Sequence, residues 1–160
     1  MGIGAEALLM LILQKNQLEL AEPEAINAEQ AYCLALNIYQ EARGEPLNGK
    51  VAVANVVKNR VASKHYPNTY CKVVQQRRGN ICQFSWYCDG KVDHPHFRSM
   101  QLPDAQAFKT AVEISLKVMD NIILDNTDGS THFHAVYVDP YWNKSLVLTV
   151  EYGQHIFYRM

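Results

Sequence analysis

The stretch 35–61, "ALNIYQEARGEPLNGKVAVANVVKNRV", carries two helical patterns separated by a Gly–Glu–Pro break. Upstream of the break, Ala31, Leu34, Ala35, Ile38 and Ala42 recur at helical spacing and predict a helix over 28–43. Asn27 fits its N-cap, with Gln30 three residues on, and Gly44 fits the C′ position. Downstream, residues 48–62 predict a second helix. Its "VAVANVV" run is apolar on nearly every side, so this helix should be central and buried.

The phase of the first helix separates two glutamates. Glu41 follows Leu34 by seven residues and Ile38 by three, so it shares the side of the apolar stripe. Glu45 lies beyond Gly44 and belongs to the loop. A carboxyl in the last turn, at the negative end of the helix dipole and partly buried, should have a raised pKa. That is what a general acid needs near neutral pH. The same pattern also fits an ion pair between Glu41 and Arg43, Arg60 or another base, and periodicity leaves both readings open.

A chain of 160 residues accommodates one domain with a real core. With 48% apolar and 19% charged residues it is neither disordered nor a coiled coil. The net charge of −1 conceals a basic segment: Pro46–Cys88 holds seven Lys/Arg and no acidic residue. That segment suits an anionic polymer or two solvated basic helix faces. No recognisable nucleic-acid module accompanies it, so nucleic acid is not expected as a partner. "AEALLMLIL" (5–13) is too short to span a bilayer and lacks the basic flank of a signal peptide. It reads as a short buried helix, followed by a connector, with no stable membrane span. The expected organisation is an N-terminal helix and connector over 1–27 and one domain over 28–160.

The rest of the chain predicts an α+β fold. A third helix is expected from an Asp104 N-cap to about Leu124, with Phe108, Ala111, Val112, Leu116, Met119, Ile122 and Ile123 as its core stripe. "THFHAVYV", "SLVLTVEYG" and "QHIFYR" follow as strands of a small terminal antiparallel sheet. Residues 72–102 read as irregular. Among the four cysteines, Cys33 sits in a helical pattern and reads as a buried thiol. Cys82 and Cys88 are spaced for a local disulfide, which would place the protein in an oxidising compartment.

Two further groups carry chemistry. "CQFSWYCDG" (82–90) supplies an amide, a hydroxyl and aromatic faces in Gln83, Ser85, Trp86 and Tyr87. That set suits a sugar ring, or else packs as a loop with Phe84 and Trp86 in the core. His132 and His134 are two apart on an expected strand, and with His155 they could form a three-histidine metal site or simply line a cleft. The chain has no phosphate-binding Gly-rich loop, no GxSxG and no HExxH.

Taken in order, "ALNIYQEARGEPLNGKVAVANVVKNRV" (35–61), "YPNTYCKVV" (66–74), "CQFSWYCDG" (82–90), "GSTHFHAVYVDPYW" (129–142) and "GQHIFYR" (153–159) resemble the SleB/CwlJ-type cell wall hydrolases. The resemblance covers most of 31–159. It implies cleavage of peptidoglycan glycan strands on a lysozyme-like scaffold related to lytic transglycosylases, with no cofactor and no metal. The catalytic glutamate of that family falls on Glu41. Gln83, Ser85, Trp86, His132, His134, Glu45 and His155 are implied to line or support the substrate cleft. The expected partner is a glycan strand bound by a monomer at the cell wall, in the periplasm or outside the cell. A phage lysin made in a host cytoplasm is one origin that fits. A hydrolytic muramidase or glucosaminidase with Asp89 or Asp93 as a second carboxyl, a zinc-dependent amidase using His132, His134 and His155, and a glycan-binding module without catalysis are the competing readings.

Overall fold

The computed structural model describes residues 28–91, 93 and 102–160. The expected helix at 5–13 and the Asn27 cap lie outside the described residues. Helix α1 (Ala28–Ala42) and helix α2 (Leu47–Ala62) form as the apolar spacing predicts. A short helix α3 (Tyr70–Val74), a minimal hairpin of β1 (Arg77–Arg78) and β2 (Ile81–Cys82), and a 3-10 turn (Ser85–Cys88) follow. Helix α4 (Leu102–Met119) leads to a three-stranded antiparallel sheet of β3 (His132–Ala135), β4 (Val147–Tyr152) and β5 (His155–Arg159), in the order β3-β5-β4.

The position of α2 explains its all-round apolar sequence. Val51, Ala54 and Val57 join the core shared with Leu34 and Ile38 of α1, Val73 and Val74 of α3, and Phe108 and Val112 of α4. Ala52, Val53 and Val56 instead pack with Ala42 and with Phe157 of β5. One helix therefore closes two apolar clusters, and its small alanines let its neighbours approach. The α1–α2 pair is thereby held against the sheet, which sets the end of α1 beside β5.

Several sequence expectations are corrected. Helix α4 stops at Met119 rather than near Leu124 because Asn121 takes φ +59°. The Asn121 N–H donates to Val118 O and the Ile122 N–H to Lys117 O, the paired bonds of a Schellman C-cap. Ile122 is consequently exposed rather than part of the core stripe. Asp104 lies in the first turn of α4 instead of capping it. Gly44 keeps an ordinary φ, and α1 closes instead through the Glu45 N–H to Ala42 O at 3.0 Å. The strand expected over 131–138 shortens to His132–Ala135, since Val136, Tyr137 and Val138 turn out into solvent. Within 72–102, the segment expected to be irregular, the short structure through Cys88 is ordered by tight turns, with Gly79 at φ +61° between the hairpin strands.

Cys33 is not a free thiol. It is bridged to Cys71, with Cα atoms 5.1 Å apart, because α3 packs across α1 at that point. The expected Cys82–Cys88 bridge is present, with Cα atoms 5.8 Å apart. No helix among the described residues is long and apolar enough to cross a membrane.

Candidate active site

Glu41 occupies the last turn of α1, next to Ala42, which is itself buried against α2 and β5. Burial pushes its carboxyl up to about 7, against the opposing pull of the Arg60 charge. Arg43, the nearest base in sequence, is exposed and lays its guanidinium 4.9 Å from the centre of the Tyr39 ring. Among the described residues Glu41 has no direct ion-pair contact. The ion-pair reading therefore reduces to a through-space interaction with Arg60.

Arg60 ends the apolar helix α2, and its burial there is what the site adds to the sequence reading. The Arg60 Nε donates to Thr131 O at 2.7 Å, tying α2 to the start of β3. The guanidinium lies 5.0 Å from the Tyr66 ring centre and 5.4 Å from that of Phe84. Phe84 in turn packs 6.3 Å from Phe133 of β3. The QFS segment is thus anchored by its central phenylalanine, which leaves Gln83 and Ser85 on either side exposed to solvent. Trp86 is different: it is buried, and its Nε1 donates to Asn37 Oδ1 of α1 at 2.9 Å. An indole whose one polar atom is satisfied inside the core belongs to the packing, not to an open wall.

The histidines divide by strand register. His132 pairs with Tyr158 and His134 with Ile156, while His155 pairs with Ala135. Directly opposed residues share a face, so His132 and His134 lie on one face and His155 on the other with Phe133 and Phe157. His132 sits 5.1 Å from the Trp142 ring, and its Nδ1 meets Thr131 Oγ1 at 2.9 Å. Burial, then the Arg60 charge, lowers its pKa to about 4, so its ring is neutral near neutral pH. The two ring nitrogens of His134 meet Tyr158 OH at 2.9 Å and Ala135 O at 2.7 Å. His155 Nδ1 lies 3.3 Å from Glu45 Oε1, an ion-pair distance without hydrogen-bond alignment. Among the described residues no three His, Cys, Asp or Glu gather to hold a metal ion. Alternation along β3 and β5 is the physical reason that His155 does not join the other two.

Glu45 serves the sheet. Its carboxylate accepts the Gln154 N–H at 3.1 Å and flanks His155, fastening the α1–α2 loop to the β4–β5 turn. Gly153 makes this approach feasible, with φ +54°. A Cβ there would lie 2.5 Å from Glu45 Oε2 and 2.7 Å from Pro46 Cδ. Gly153→Ala is expected to cost roughly 1–3 kcal/mol, from backbone strain and the clash together. Urea unfolding of the variant measures it, and an unchanged midpoint would refute the docking role.

The chain and its fold have known counterparts. A family model described as Cell Wall Hydrolase matches residues 44–158. The chain belongs to the cell wall hydrolase family. Glu41 stands just outside the span matched in this cell wall hydrolase. The chain is 37% identical over 70 residues to a spore cortex-lytic enzyme of Bacillus cereus, covering 44% of this chain and 26% of that protein. A spore cortex-lytic enzyme of Bacillus subtilis is 49% identical over 41 residues, or 26% of this chain and 13% of its own length. The chain thus spans about a quarter or less of the curated relatives it matches. Among solved structures, the catalytic domain of the germination-specific lytic transglycosylase SleB from Bacillus anthracis superposes with a TM-score of 0.63 at 27% identity, covering 86% of this chain and 100% of that one. The catalytic domain of the Bacillus cereus SleB protein gives 0.62 at 27% identity, covering 86% and 94%. The α+β, lysozyme-like fold expected from the sequence agrees with these neighbours.

Proposed function

We propose that this cell wall hydrolase cleaves the MurNAc–GlcNAc glycosidic bond of peptidoglycan as a lytic transglycosylase, with Glu41 as its acid and base. The observation that carries the reading is the Glu41 carboxyl, raised to about 7 by burial at the end of α1. The solved SleB catalytic domains, one of them named a lytic transglycosylase, support the reaction class.

The chemistry follows from a single proton. Protonated Glu41 gives its proton to the glycosidic oxygen, and the C1–O bond breaks as that oxygen takes the bonding pair. The resulting carboxylate then accepts the proton of the muramic C6 hydroxyl, whose oxygen bonds C1 and closes a 1,6-anhydro ring. No water enters and no second carboxylate is required. A hydrolase would use a second carboxyl roughly 5–9.5 Å from the first. Of the candidates in the irregular segment, Asp89 is exposed and its side chain accepts the Lys91 N–H at 2.9 Å, while Asp93 engages Gln40 through its backbone carbonyl. Exposed Gln83 and Ser85, with neutral His132 beside Trp142, are proposed to bind the sugar hydroxyls and acetamido groups. His134, buried and hydrogen-bonded, and His155, buried beside Glu45, support the sheet behind them, as does Glu45. The enzyme acts at the wall, outside the cytoplasm, and a phage lysin released through the host membrane is one source of such a chain.

Digestion of purified sacculi followed by mass analysis of the soluble products tests this reading. Anhydro-muramic ends are expected, in the presence or absence of EDTA. Reducing ends would make the protein a hydrolase, free peptides with EDTA sensitivity an amidase, and binding without soluble product a lectin-like module. The pH profile is a further expected result. The acid must be protonated, so turnover should fall as pH rises through about 7, the value to which burial lifts Glu41. A rate that stays flat to pH 9 or above would contradict Glu41 as the acid.

A further inference from the structure

Arg60 is more fully confined than the proton-transfer chemistry alone explains. It is 6% exposed, yet its Nη1 has no hydrogen-bond partner. Its Nε is committed to Thr131 O, and Tyr66 and Phe84 flank its plane. A guanidinium held on these sides cannot swing to follow a partner, and an unmatched buried N–H is a costly arrangement that proteins seldom keep without use. Around it stand Glu41, whose neighbour Ala42 packs in one cluster with Val56 a helical turn before Arg60, Tyr66 after α2, and His132 on β3. His132 carries no charge near neutral pH. Of these groups, Glu41 is the one whose protonation state the proposed reaction changes.

We propose that Arg60 is the fixed counter-charge for the carboxylate that Glu41 becomes once its proton has passed to the glycosidic oxygen. Once Glu41 is ionised, the buried guanidinium attracts it through space without a direct contact. The arrangement favours the product of proton transfer over the resting state, which is the preorganised electrostatic help that accelerates a reaction. Arg60 touches no reacting atom, so it is a positioning residue. The inference rests on Glu41 being the proton donor, and its test is independent of turnover.

The direct experiment follows the Arg60 Nε and Cζ resonances by NMR while the wild-type protein is titrated from pH 5 to 9. Both signals should move with the midpoint of the Glu41 carboxyl, and should be flat in Glu41→Gln. Arg60 signals that ignore the Glu41 titration in the wild type would overturn the proposal, even if Glu41 proved to be the catalytic acid. The variant Arg60→Met adds a kinetic reading. Its kcat should fall at least tenfold, and the alkaline limb of its pH profile should move to higher pH, because burial of Glu41 is then unopposed. Arg60→Lys should bring the limb back towards the wild-type position. A limb that stays in place in a folded Arg60→Met protein would assign Arg60 to structure alone.

Discussion

Glu41→Gln should abolish glycan cleavage, by about 10²–10⁴-fold, and at the same time make the protein more stable at pH 8. The two effects share one cause. Glu41 is ionised at high pH only at the expense of its burial, since its pKa stands at about 7 in the folded protein. In the unfolded chain a glutamate titrates near 4.3. The stability that the protonated carboxyl allows is therefore complete below about pH 4 and lost as pH rises through about 7. A neutral glutamine of the same shape escapes that loss, so the variant should gain roughly 1–3 kcal/mol at pH 8. The gain should shrink to nothing near pH 4. Thermal melts of both proteins across this range, beside sacculus digestion assays, read both halves. An active variant would remove Glu41 from the mechanism. An inactive variant less stable than wild type at pH 8 would show that Glu41 is a structural partner.

The second large effect concerns the bridge between α1 and α3. Cys33 and Cys71 are 38 residues apart in sequence, so closing that loop should stabilise the fold by about 4 kcal/mol through the entropy of the unfolded chain. Domains of this size have only about 5–15 kcal/mol in total. The Cys82–Cys88 bridge closes a six-residue separation and should contribute about 2 kcal/mol, felt mostly in the Gln83–Ser85 turn. Urea unfolding of Cys33→Ala/Cys71→Ala against wild type, each with and without dithiothreitol, separates the two. The double variant should lose about 4 kcal/mol of stability and most of its sensitivity to reductant. A loss below about 1 kcal/mol would mean that core packing, not the cross-link, holds α3 on α1.

How much of this was legible before folding depends on the range of each interaction. Helices α1 and α2 were readable because their apolar spacing is local and the Gly–Glu–Pro break is unambiguous. The same helical phase placed Glu41 on the protein side and Glu45 in the loop. The end of α4 was misjudged because apolar Ile122 and Ile123 continue the stripe, while the stop comes from Asn121 adopting a left-handed conformation. Cys33 was misread because its partner is supplied by α3, a one-turn helix too short to leave a periodic signal. The three-histidine grouping failed on strand register, which sequence spacing does not fix. Trp86 had the composition of a sugar platform, but the Asn37 side chain that satisfies its indole comes from α1. The sequence offers Arg60 only as one base to pair with Glu41, because the groups that bury it, Thr131, Tyr66 and Phe84, come from other parts of the chain.

The central claim is that one buried carboxyl and the substrate's own hydroxyl complete the reaction without water. Digestion of purified glycan strands in water enriched with heavy oxygen tests it most directly. The account predicts that the new muramic ends carry no heavy oxygen and are lighter than reducing ends by one water. Heavy oxygen at those ends would show that water attacks C1, and would replace the single-glutamate transglycosylase with a hydrolase that has a second catalytic group.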